Sequence, residues 1–361
     1  MKLYTSFLLI FTLIISNEDK STYPIGFNLL TIIDSTNTSF RKIPLGIWYP
    51  TSGNPGKPDV VIAEYLKSHL RSHEYLVLSI IATNNSSDSV KLWQTLNKPL
   101  DAVKNVALPQ KKYPLILYAA SINADLGENY EMMEHLAKHG YIVGAISSFG
   151  PNYQRLKFDL PSVKAQEADM RMALNYLINQ PYVDTNKIGV MGFSYGALSA
   201  VRMATKNLNI KALVTLDGSH TYFRDLIFED TQLYQKKVPI PYLQLSQRKF
   251  KTDEPDNYFL TKQISGKSFY IRFNKMDHQD FSSNYLLIKS FTPDTLFEKN
   301  QLRVYYEPIS KAEKRRGYEL TKDLVKTFFD ASLKDEEKKY DTLSKKIVRF
   351  KDDFLEYEIN D

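Results

Sequence analysis

The chain has 361 residues, 43% hydrophobic and 13% aromatic, which is ample for one large or two ordinary cores and excludes a disordered protein. Its 47 Lys+Arg against 41 Asp+Glu give a formal charge of +6 spread along the sequence, so a basic arm for nucleic acid is excluded. The absence of cysteine removes disulfides, thiolate metal sites and lipidated cysteine, and leaves stability to the core alone.

Residues 1–16, MKLYTSFLLIFTLIIS, place Lys2 before an apolar stretch and end where the polar NEDKST begins. They read as a signal peptide with Ser16 as a plausible last residue, which implies an exported protein, periplasmic or secreted. The stretch is shorter than the roughly 20 apolar residues a spanning helix needs, so an N-terminal membrane anchor is the alternative. Sequons at Asn37, Asn84 and Asn85 would matter only in a eukaryotic secretory pathway.

Residues 17–361 read as a single domain. RKIPLGIWYP alternates into a strand closed by PTSGNPGKP, so the fold is expected to begin with strands at a sheet edge. Residues of about 60–110 carry helix-like spacing around TNNSSDS and are expected to be a helical insertion. From Tyr113 a regular rhythm follows: YPLILYAA as a buried strand, ENYEMMEHLAKHG as a helix stopped by Gly140, and YIVGAISS as a second buried strand. AQEADMRMALNYLINQ is expected to be a helix, PYVDTNK a loop, IGVMGF a strand and YGALSAVRMATKNL a helix. IKALVTLDG and VPIPYLQLSQ follow as strands, with SFYIRF as the last. The charged end, about 333–361, is expected to be a surface helix or two. This alternation predicts an α/β fold: a mostly parallel central sheet with helices on both faces.

GFSYG, Gly192 to Gly196, joins a predicted buried strand to a predicted helix. By chance alone a Gly-x-Ser-x-Gly appears in about one chain of this length in ten, so the context carries the inference. A serine on such a turn is pushed out above the strand ends, beside a helix N-terminus that favours a developing oxyanion. Serine needs a base and an orienting carboxylate, and the strand–turn–helix setting predicts the chain order Ser, Asp, His. His278 follows the last predicted strand and is the expected base, whereas His220 lies too close to the strand end at Asp217 to reach independently. Asp217, on a short connection backed by Gly218, is the preferred acid; Asp253 and Asp256, in the loop after the next strand, are the alternatives. Asp277 and Asp280 flank the base and are expected to point elsewhere.

YPLILYAA, LAKHGYIV, GFSYG, VTLDG and MDHQDF resemble successive blocks of the α/β-hydrolase superfamily, most of all its platelet-activating-factor acetylhydrolase branch, related also to dienelactone hydrolases. The likeness covers roughly residues 40 to 330. It implies an α/β-hydrolase fold and a cofactor-independent serine hydrolase with Ser194, Asp217 and His278 as its triad. It also implies a carboxylic-ester substrate, such as a lipid or short-chain acyl ester. The backbone N–H groups of Tyr195 and, by matching blocks, Ile122 would be the oxyanion donors. Ala120-Ser121 stands where the family commonly has His-Gly, which leaves the oxyanion loop and the substrate open. A peptidase or amidase on the same triad is the alternative, and a non-catalytic binding protein the rival of another class. No metal and no nucleic-acid partner are expected; weak association with a lipid surface is.

Two histidine pairs, His69 with His73 and His135 with His139, have the four-residue spacing metals use, but neither carries the glutamate of a metalloprotease helix, so both are read as surface histidines. Residues 147–162 form a loop that either covers the pocket or packs as an ordinary connection.

Overall fold

The computed structural model describes residues 22–33, 41–53, 55–66, 86–206, 209–226, 237–248, 262–291, 309–350 and 355–360. The predicted leader, the three sequons, His69, His73, Asp253 and Asp256 lie outside the described residues.

Six strands form the parallel heart of the sheet: β4 (Tyr113–Ala119), β5 (Ile142–Ile146), β6 (Val183–Phe193), β7 (Ile210–Leu216), β8 (Tyr242–Ser246) and β9 (Ser268–Phe273). They read as almost continuous apolar runs because both faces are covered. Successive residues point to opposite faces: Ile116 and Tyr118 enter one core layer, Leu115 and Leu117 the other. The first layer is closed by helices α3 (Tyr130–Lys138), α6 (Ser283–Phe291), α7 (Lys311–Leu333) and α8 (Lys338–Arg349), the second by α4 (Leu160–Ile178) and α5 (Gly196–Lys206).

The full sheet has ten strands in the order β10-β9-β8-β7-β6-β4-β5-β2-β1-β3, with β1 (Ile25–Ile33), β2 (Lys42–Pro50), β3 (Ala102–Lys104) and β10 (Leu355–Asn360) outside the parallel block. Strand β4 lies between β5 and β6, so the winding reverses there, and a crevice opens beyond the carboxyl ends of β4 and β6. Any chemistry on this scaffold is expected at that end.

Four stretches depart from expectation. The region of about 60–110 includes helices α1 (Ile62–Tyr65) and α2 (Ser86–Leu96), but Ala102–Lys104 is a strand, paired parallel with Ile25–Phe27. Three residues are too few to show a period, and it is burial of Ala102 and Val103 that fixes them. PYVDTNK is no free loop: Val183 and Asp184 already pair with Tyr113 and Pro114, and a register shift after Pro114 carries exposed Thr185 and Asn186 past the sheet. SFYIRF is followed by a later strand, since Leu355–Asn360 pairs antiparallel with it, so the charged end is a helix and an edge strand. Finally, α7 has no counterpart among the expected elements. It starts at a Ser310/Glu313 capping box and lays Leu320, Leu324, Val325, Phe328 and Phe329 on the sheet. Among the described residues no helix is long and apolar enough to cross a membrane.

Candidate active site

Ser194 stands at the carboxyl end of β6 with φ of 51°, in the left-handed region that a serine occupies only when its surroundings enforce it. Its N–H donates to the Leu216 carbonyl at 3.0 Å, while its own carbonyl accepts from Ala197 and Ser219 at 3.1 and 2.9 Å. The flanking glycines are required by space. A Cβ on Gly192 would lie 2.5 Å from the Gly196 carbonyl oxygen, and one on Gly196 would lie 2.1 Å from that of Ala119. The start of α5 is thereby seated directly against the loop that leaves β4.

His278 Nε2 lies 2.9 Å from Ser194 Oγ, and His278 Nδ1 lies 2.5 Å from Asp217 Oδ2. The three side chains form an unbroken relay across 84 residues of sequence. Asp217 is buried just beyond β7, also at positive φ, and its second oxygen accepts the Gln247 N–H at 2.9 Å. Gln247 in turn accepts the His278 N–H on its side-chain oxygen at 2.8 Å, and the Phe193 ring stacks on the imidazole at a centroid distance of 5.1 Å. Gln247 therefore holds both Asp217 and His278, a place with no local signal beyond its position at a strand end.

The other titratable residues singled out are occupied. Asp277 pairs with Arg248 at 2.8 Å and with Lys314 at 3.3 Å, and Asp280 pairs with Lys289 at 2.6 Å, so both acids flanking His278 are held by other partners. His220 is buried with Nε2 2.8 Å from the Tyr242 hydroxyl, and burial pushes its pKa down to about 4. His135 and His139 are no exposed pair: their rings lie 4.5 Å apart, and burial pushes His135 down to about 3. Among the described residues no three His, Asp or Glu side chains converge as a metal ligand set.

The amides of Tyr195 and Ile122 make no hydrogen bond among the described residues, so both are free to donate to a bound atom. Ile122 sits on a turn closed by Ala124 N–H to Ser121 C=O at 3.2 Å. Two clamps hold this loop. Gln166 of α4 donates to the Ala120 carbonyl at 3.0 Å, and the Asn123 side chain exchanges two bonds with the Leu156 backbone at 3.0 and 2.7 Å. The 147–162 segment is thus a packed connection that also borders the site. Its Lys157 carbonyl accepts the Tyr195 hydroxyl, and Phe158 lies edge-on to Tyr195 and against Phe223 at 4.7 Å.

Comparisons with known proteins agree with this architecture. The family described as BAAT / Acyl-CoA thioester hydrolase C terminal matches residues 170–289, a stretch that contains Ser194, Asp217 and His278. Esterase FrsA of Vibrio vulnificus, in strains YJ016 and CMCP6, is 22% identical over 223 residues, 60% of this chain and 52% of the relative. The chain thus spans about half the length of the curated relatives it matches. A ferulic acid esterase from Streptomyces cinnamoneus matches in structure with a TM-score of 0.65 at 20% identity, over 89% of this chain and 93% of that one. The fold is the α/β-hydrolase fold, with its mostly parallel sheet and helices on both faces. The similarities point to esterases and thioester hydrolases as a class, not specifically to the platelet-activating-factor acetylhydrolase branch.

Proposed function

We propose that this protein is a serine hydrolase of carboxylic esters. The observation that carries the reading is the Ser194–His278–Asp217 relay, with its 2.9 and 2.5 Å contacts at the crevice where the sheet reverses. The similarity to esterases and to an acyl-CoA thioester hydrolase family supports the same class of reaction.

In this reading Ser194 Oγ attacks the ester carbonyl carbon as His278 Nε2 takes its proton. Asp217 keeps the imidazole in the tautomer that leaves Nε2 free, and stabilises the imidazolium that forms. The carbonyl oxygen, now negative, is held by the Tyr195 and Ile122 amides. Collapse expels the alcohol, which takes the proton from His278, and water activated by the same base releases the acid from the acyl-enzyme. No cofactor or metal enters any step. The aromatic flank of Phe158, Tyr195 and Phe223 gives one side of the site an apolar surface suited to the organic part of a small ester.

Finer features belong to the same proposal: a short-chain or lipid acyl ester as in the acetylhydrolase branch, export directed by residues 1–16, and loose contact with a lipid surface. The test is hydrolysis of p-nitrophenyl esters from acetate to longer chains, with an acyl thioester in parallel, by the chain and by Ser194→Ala. The variant is expected to lose at least about 10⁴-fold in kcat. Equal rates in both proteins, or no labelling of Ser194 by a fluorophosphonate, would overturn the reading.

A further inference from the structure

Glu128 is fully buried between β4 and α3, and the proposed chemistry does not use it. Its carboxylate accepts the Tyr118 hydroxyl at 3.0 Å, the Ser121 N–H at 2.9 Å and the Ser121 hydroxyl. Among the described residues no lysine or arginine pairs with it. Burial raises its pKa to about 7 against the pull of these donors. An uncompensated buried carboxylate costs several kcal/mol, so its hydrogen bonds have to be strong and well placed.

The same residue reaches the other side of the site through its main chain. Its carbonyl accepts the Asn284 N–H at 3.1 Å and the Ser282 and Ser283 hydroxyls at 2.8 and 3.3 Å. The next residue reinforces the junction, since Asn129 donates to the Phe281 carbonyl at 2.9 Å and accepts the Ser283 N–H at 3.3 Å. His278 opens the short 3₁₀ turn His278–Phe281 that ends at this junction. One position is therefore bonded both to the loop bearing the Ile122 amide and to the turn bearing the base.

We infer that Glu128 is a positioning residue: its carboxylate sets the oxyanion loop through Ser121 while its carbonyl sets the turn that carries His278, locking the two halves of the site in register. Ala120-Ser121 then has a physical role, because the Ser121 hydroxyl supplies the third donor to the buried carboxylate. The kinetic consequence rests on the hydrolase reading above, but the structural one does not.

Two readouts separate them. In Glu128→Ala, which removes the carboxylate and keeps the main-chain carbonyl, hydrogen exchange at amides of residues 119–124 is expected to quicken about tenfold, while amides 282–284 stay near the parent rate. Its kcat towards a p-nitrophenyl ester should fall about 100-fold with KM nearly unchanged, the scale of losing one oxyanion donor. Glu128→Gln restores the geometry: the amide oxygen accepts Tyr118 and the Ser121 N–H, and the amide nitrogen donates to the Ser121 hydroxyl. It should therefore recover kcat to within about threefold of the parent. If Glu128→Ala does not fold, Ser121→Ala serves, with an expected kcat loss of about tenfold at constant KM. Unchanged exchange at residues 119–124, or a loss in KM instead of kcat, would overturn the inference. Quickened exchange in a protein whose parent form cleaves no ester would uphold the lock and remove the hydrolase reading instead.

Discussion

In the proposed relay Gln247 decides how well Asp217 and His278 are aligned, because its main-chain N–H holds Asp217 at 2.9 Å and its side-chain oxygen holds the His278 main-chain N–H at 2.8 Å. Gln247→Ala keeps the first bond and loses the second, leaving a part-buried N–H without a partner at a cost of about 1–3 kcal/mol. The expected outcome is a kcat lower by about tenfold with KM near the parent value, measured by steady-state ester hydrolysis; an unaltered kcat would show that Phe193 packing alone orients the imidazole. Asp217→Asn acts differently, since an amide that donates to Nδ1 selects the wrong tautomer, and a loss of about 10⁴-fold is expected. Asp253→Asn and Asp256→Asn should retain activity. A reversal of that pattern would move the acid role to the loop after β8.

At the level of elements, the closing strand β10 is held by β9, the strand that delivers His278, through pairs from Leu355↔Phe273 to Asn360↔Ser268. A chain ending at residue 354 would expose the edge of β9 and remove Leu355 from the core. It should aggregate and melt at lower temperature, and lose ester hydrolysis in the soluble fraction. A truncated protein of parental melting temperature would mean that β10 is mere decoration. The same strand shows what the sequence could and could not disclose. LEYEIN alternates buried and exposed residues on an edge and sits among charges, so its pattern reads as a solvated tail. Buried strands such as β4 and β5 are legible because both faces are covered and nearly every residue is apolar. The relay at Ser194 is legible for a related reason: the strand–turn–helix setting is local, and the chain order of the partners goes with that motif although His278 lies 84 residues on. Gln247 and Glu128 are not, because no motif goes with them and their partners are brought from 30 and 154 residues away. Spacing alone carries no trace of such contacts, and the same holds for α7, whose apolar face has meaning only against the sheet.

For the whole molecule, buried titratable groups set opposing responses to pH. Desolvation raises Glu128 and Glu134 from 4.5 to about 7, so the folded protein holds protons that the unfolded chain releases, and stability falls as pH rises from about 4.5 to about 7. Desolvation lowers His135 from 6.5 to about 3 and His220 to about 4, so the unfolded chain binds protons that the folded one refuses, and stability falls as pH drops below about 6.5. Between about pH 4.5 and 6.5 the two slopes oppose each other, and His139, also lowered by burial, adds to the histidine side. Below that window the glutamates no longer contribute and the histidines govern, so the melting temperature should drop. Glu134 accepts the Tyr65 hydroxyl at 2.8 Å, away from the relay, and Glu134→Gln keeps that acceptor while removing one proton site. In this variant one of the opposing slopes is gone, and the melting temperature should climb more steeply from pH 4.5 to 6.5 than in the parent. Differential scanning calorimetry of parent and variant across that range reads the slope directly. Parallel curves would show that Glu134 is already ionised in the folded protein, and the balance would then rest on Glu128 alone.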